Sequence, residues 1–182
     1  MNEYWKNRMA KSQDIISKQN AAEIEKQITK YYKRAAKKVI SDFEATYNKI
    51  LADLEDDRAA TPADLYKLDK YWQMQSAMRN ELQKLGEKEV VLLTKGFEKN
   101  FIDIYNSIAF KGLTAYNTID KHTVKQLINH IWCADGKSWS QRIWQNTEAL
   151  AEELNEALIH TVLTGKKTTD LKHLLQERFG VS

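Results

Sequence analysis

The chain has 182 residues, enough for one domain or a domain with an extension, and long enough to bury a core. Lys and Arg number 28 against 25 Asp and Glu, a net charge of +3, which describes a solvated surface rather than a strong nucleic-acid footprint. Charged residues make up 29% of the chain, and it holds only six glycines and one proline, which favours long exposed helices over a sheet protein. A single cysteine, Cys133, excludes an internal disulfide framework and fits a reducing compartment. No apolar run approaches the roughly 20 residues of a membrane span, and the first residues lack the apolar core of a signal peptide.

Residues 1 to about 57 read as one long helix without Pro or Gly. Apolar or small residues recur from Ile24 through Ile28, Tyr31, Ala35, Val39, Phe43, Thr46 and Ile50 to Leu54, with a mean step of about 3.75 residues. That exceeds the heptad's 3.5, so a left-handed coiled coil is not indicated. The stripe is narrow, and such a helix needs a partner from this chain or another. At the start, Tyr4, Trp5, Met9, Ile15 and Ile16 are irregularly spaced. They fit either a packed helix start or a peptide that docks on a partner through Tyr4, Trp5 and Arg8.

The acidic run Glu55-Asp56-Asp57 opposes the dipole at a helix C-terminus. Thr61 as N-cap, Pro62 at the first helical position and Asp64 then restart a helix, so residues 58–61 are expected to form a hairpin. The second helix runs from 62 to about 84 and continues in the same phase toward 110. Its stripe is Tyr71, Met74, Met78, Leu82 and Leu85, then Val90, Leu93, Phe97, Phe101, Ile104 and Ile108. Gly86 marks an expected break. The aromatic end (Phe97, Phe101, Tyr105 and Phe110) is expected to be the better buried. After a connection at 113–119, Asp120 or Thr118 caps a short helix with Val124, Leu127, Ile128 and Ile131 on one face.

Residues 130–146 hold Trp132, Trp139 and Trp144, three of the five tryptophans. Asp135-Gly136 is a turn dipeptide, and Ser138 with Gln141 forms a capping box. The reading is a structural corner where helices pack around the three rings. A helix from about 139 to 164 follows, with Ile143, Thr147, Leu150, Leu154 and Leu158 in register and Gly165 as C-cap. A last helix, 169–179 with Thr168 as N-cap, carries Leu171, Leu174, Leu175 and Phe179. No strand-like alternation occurs. The expected fold is all-α and elongated: a long antiparallel helical hairpin over 1–116 and a small helical cluster over 117–182.

No catalytic or metal site is expected. Gly136-Lys137-Ser138 lacks the glycine five positions earlier that a phosphate loop needs, since Ile131 stands there. Cys133 has no base at a recognisable spacing, and His122, His130, His160 and His173 form no metal-ligand pair. Carboxylates lie on lysine-interleaved helical faces. By composition the best cluster is the basic run Lys30, Lys33, Arg34, Lys37 and Lys38 beside Tyr31 and Tyr32. It suits phosphate contact, and equally a solvated face or an acidic protein surface.

The corner also carries a resemblance. Trp132, Ala134-Asp135-Gly136-Lys137, Ser140, Arg142-Ile143-Trp144, Asn146 and the closing Arg178-Phe179-Gly180-Val181-Ser182 resemble the segment preceding the conserved domain of Mu F-like minor head proteins of tailed phages. The opening Tyr4-Trp5-Lys6-Asn7-Arg8 is similar to the start of the same proteins, and the residues between match only in helical, Lys/Glu-rich character. The resemblance implies a structural minor capsid protein, not an enzyme and without a cofactor. It would sit at the portal vertex of the virion, bind the portal protein, with the major capsid protein as a further candidate partner, as part of an oligomeric assembly, and support head assembly or DNA delivery. Family members continue into the conserved domain, whereas this sequence stops at Ser182. Two other functions stay open: a helical DNA-binding protein, and the N-terminal delivery module of a Mu F-type toxin.

Overall fold

A computed structural model describes residues 3–52, 63, 69–112, 119–130, 134–164 and 168–179. Among the described residues there are five α-helices and no strand: α1 Glu3–Ala52, α2 Lys70–Gly112, α3 Lys121–Asn129, α4 Trp139–Leu163 and α5 Thr168–Arg178. The chain is all-α, with two long helices packed together. The expected 58–61 hairpin, the Thr61–Pro62 restart, the acidic run 55–57, the Gly165 cap and the side chains of Tyr4, Trp5, Arg8 and Phe110 lie outside the described residues. Thr168 opens α5 as its first helical residue rather than standing before it.

The residues form two compact units, and each long helix contributes to both. One unit is Met1–Ile28 with Glu89–Arg142, and the other is Thr29–Lys88 with Ile143–Ser182. The second unit holds the larger core. Ala35, Ala36, Val39, Ile40, Phe43 and Tyr47 of α1 meet Tyr71, Met74, Met78, Leu82 and Leu85 of α2, and Ala151, Leu154, Leu158, Leu175 and Phe179 close the cluster. The two stripes are those that helical periodicity marks. Their neighbours Ala36, Ile40 and Tyr47 widen the α1 stripe to the breadth a core-facing helix needs.

Polar contacts set the direction of packing in this unit. Tyr71 Oη donates to Asn155 Oδ1 at 2.8 Å, and Gln75 Nε2 donates to the same oxygen at 3.3 Å. Arg79 pairs with Glu148 at 2.7 Å. Ascending positions on α2 thus meet descending positions on α4, so these helices run antiparallel. Arg178 of α5 reaches Glu153 of α4 at 3.4 Å. Buried Thr161 satisfies its hydroxyl by donating to the Ala157 carbonyl at 2.9 Å, leaving no unmet polar group there.

In the first unit α1 and α2 meet through a polar clasp and a notch. Lys99 Nζ donates to Asn20 Oδ1 at 2.7 Å and to Asp103 at 2.6 Å, while Asn20 Nδ2 reaches Asn100 at 3.2 Å. Gly96 is the notch, since a β-carbon there would collide with Ile24. Val124 and Ile128 of α3 are buried, as its amphipathic pattern requires.

Two expectations are corrected. α2 is unbroken through Gly86. This buried glycine ends nothing, because a β-carbon there would lie 2.8 Å from the Trp144 ring and 3.2 Å from Thr147 Oγ1. It admits another helix, and that close approach offsets its weak helix propensity. The aromatic end of α2 is also the less buried one. Phe97 is 36% exposed and Phe101 and Tyr105 are half-buried, whereas Tyr71, Met74, Met78, Leu82 and Leu85 are all buried. The latter segment is enclosed by α1, α4 and α5, whereas the aromatic segment borders an open cavity in its own unit.

Leu154 is fully buried at the centre of the larger core. Leu154→Ala is expected to cost about 3 kcal/mol, read as a lower denaturant midpoint. The Lys99 ammonium, then Asn20, hold the Asp103 carboxyl below the usual carboxylate range. A depressed folded value stabilises above the unfolded pKa of about 4 and loses that effect as pH falls through the folded value. Asp103→Asn is therefore expected to lower the thermal midpoint at neutral pH, and the difference should vanish in strong acid.

Candidate functional site

The residues singled out at the corner form a built turn. Gly136 has φ +70°, the left-handed region that glycine enters without a steric penalty. Asp135 accepts the Lys137 backbone N–H at 3.2 Å. Both its carboxylate oxygens receive Arg142 Nη2 at 2.8 Å. Ser138 and Gln141 complete the expected box: the Ser138 N–H donates to Gln141 Oε1 at 2.8 Å, and the Gln141 N–H donates to Ser138 Oγ at 3.3 Å. Asp120 caps α3 by accepting the Thr123 N–H at 3.1 Å, and this bond, with that from His122, holds its carboxyl below the ordinary range.

Of the three tryptophans, the two described, Trp139 and Trp144, do not share one core. Trp132 and Cys133 lie outside the described residues. Trp139 is half-buried and meets Phe97 edge to face, with ring centroids 5.5 Å apart. Trp144 is 41% exposed and covers Gly86. Positions 139 and 144 are turned about 140° from each other around α4, so one helix cannot aim both rings at a single centre. The corner is an ordered turn with its rings on different faces.

Beside the turn, within the first unit, lies an apolar cavity of about 740 Å³. Phe97, Phe101, Ile104, Leu127 and Trp139 line it together with Lys137 and Arg142. The Trp139 Nε1 hydrogen is buried without an acceptor among the described residues, an unusual state for a polar group. The sequence marked the rings on α2 and Trp139 at the start of α4, but not that they border open space.

The basic run divides between two flanks of α1. Lys38 pairs with Asp42 at 2.6 Å, and that hydrogen bond, then the Asp42 charge, raises its pKa. Arg34 borders a small recess with Glu81 and Lys88 of α2. Lys33 and Lys37 instead border a groove with Lys172 and Gln176 of α5. Lys30 is exposed one turn earlier. Lys172 was invisible to a reading of the run alone, because it arrives from a distant helix.

Among the described residues no three His, Cys, Asp or Glu side chains converge to hold a metal ion, and no described helix is long and apolar enough to cross a membrane. Comparison with family models, curated proteins and solved structures finds no match.

Trp144 and Gly86 provide a direct check of the packing. Gly86→Ala gains about 1 kcal/mol of helix propensity but must displace the ring. In a double-mutant cycle Gly86→Ala is expected to be more favourable in the Trp144→Ala background, with a coupling of about 1 kcal/mol in denaturant unfolding. Additive effects would remove the ring from Gly86. Because Trp144 is exposed, Trp144→Ala alone is expected to cost less than Leu154→Ala.

Proposed function

We propose that this chain is a helical structural adaptor of the Mu F-like minor head type, which binds the portal vertex of a tailed phage and supports head assembly or DNA delivery. The observation that carries the reading is the ordered resemblance of residues 130–182, centred on Asp135-Gly136 and Arg142. Arg142 Nη2 contacts both carboxylate oxygens of Asp135 beside the left-handed Gly136, which gives the motif's spacing a physical reason. Large apolar groups exposed on the helices add to it: Trp72 at 56%, Val91 at 52% and Trp144 at 41%. Exposed tryptophans are the residue type that most often anchors a protein interface. On this reading the protein works in the virion, and in the host cytoplasm during assembly, by presenting surfaces rather than by turnover.

The test is co-purification of the chain with the portal protein encoded in the same genome, at low and high salt. A complex that survives high salt and is weakened by Trp72→Ala with Trp144→Ala is the expected result, since apolar contacts are not screened. Absence of a complex at both salts would count against the reading.

A further inference from the structure

We infer that the apolar cavity beside the Gly136 turn binds a small amphiphilic carboxylate, an alkyl chain carrying one carboxylate head, independently of any portal contact. The cavity measures about 740 Å³, within the range of sites that enclose a small molecule. Phe97, Phe101 and Ile104 of α2 form one wall, and Leu127 of α3 and Trp139 of α4 face the same space. Phe97 to Ile104 covers about 10 Å along α2, a length that suits an alkyl chain lying against the helix.

The charge around this space has one sign. Arg142 and Lys137 border it, and no aspartate or glutamate does among the described residues. Arg142 is held in place from outside the cavity. Both of its contacts with Asp135, at 2.8 Å, are made by Nη2. Those contacts do not use Nε or Nη1, so the guanidinium keeps the donors of a second planar fork, the geometry that receives a carboxylate in two parallel bonds. The ion pair that orders the turn therefore also orients a cation at the edge of an apolar space.

These two features together select the ligand. An uncharged hydrocarbon would fill the walls but leave the guanidinium without a new partner. A compact inorganic anion would meet Arg142 but leave the rings of Phe97 and Phe101 facing water. A docked protein helix inserts separate anchors three, four and seven residues apart, whereas this is one continuous cavity. A single-chain carboxylate satisfies both the walls and the cation.

The test is isothermal titration calorimetry of the full chain with octanoate, decanoate and dodecanoate, each below its micelle-forming concentration. Affinity is expected to rise by about fourfold per added methylene while the chain still finds apolar wall. Dodecanol, which lacks the charge, is expected to bind about 10-fold more weakly than dodecanoate. Arg142→Gln is expected to abolish that preference and leave dodecanol binding unchanged, and Arg142→Lys, which keeps the charge, to restore part of it. Ile104→Trp, which fills the cavity from its wall, is expected to weaken dodecanoate by at least ~10-fold. Trp72→Ala removes an exposed ring outside this unit and is expected to change nothing. Circular dichroism checks that the variants keep their helix content, and the chain-length series needs no variant. No saturable binding of dodecanoate, or equal affinity for dodecanoate and dodecanol, would overturn the inference. A loss in Trp72→Ala equal to that in Ile104→Trp would overturn it in favour of adsorption at exposed apolar surface.

Discussion

The contact between the apolar stripe of α1 and that of α2 is the constraint on which the larger unit depends. α1 is 50 residues long with a polar, Lys/Glu-rich remainder, and such a helix has little stability of its own in water. Ala35 borders a recess with Leu85 of α2, and Val39 and Phe43 line another with Met74 and Met78, whose side chains are adaptable filler. Once this pair forms, α4 and α5 have an apolar surface to cover. Leu154, Leu158 and Leu175 complete a core that neither pair of helices contains alone.

Much of this was legible in periodicity. The positions from Tyr71 to Leu85 and from Ala35 to Phe43 recur at helical spacing, and all are buried as that spacing requires. The capping box at Ser138, the Asp120 cap and the Gly136 turn were legible too, because each is a local rule between residues a few positions apart. Gly86 was misread for the opposite reason. A glycine inside a helix is compatible with a break or with a close approach, and only Trp144, far along the chain, decides between them. The same distance hid Lys172 from the basic run and Asn155 from Tyr71. Burial of the α2 aromatics was overestimated because periodicity reports which residues share a face, not how many helices cover it.

The candidate site was legible in its residues more than in its arrangement. Asp135, Gly136 and Arg142 were marked by resemblance, and their ion pair and turn supply a local reason for the set. The three tryptophans were read as one cluster because they are near in sequence. Helical rotation separates Trp139 from Trp144, which turns an expected core into an ordered turn with an exposed ring. Trp72 and Trp144 are the exposed tryptophans among the described residues.

The central structural claim is that α1 finds its partner within the same chain rather than in another copy. Amide hydrogen exchange measured over a wide range of protein concentration tests it most directly. If α2 of the same chain covers α1, protection of residues 35–47 and 71–85 will be strong and independent of concentration. Protection of residues 35–47 that rises with concentration would mean that a second molecule covers the stripe, and would contradict the account.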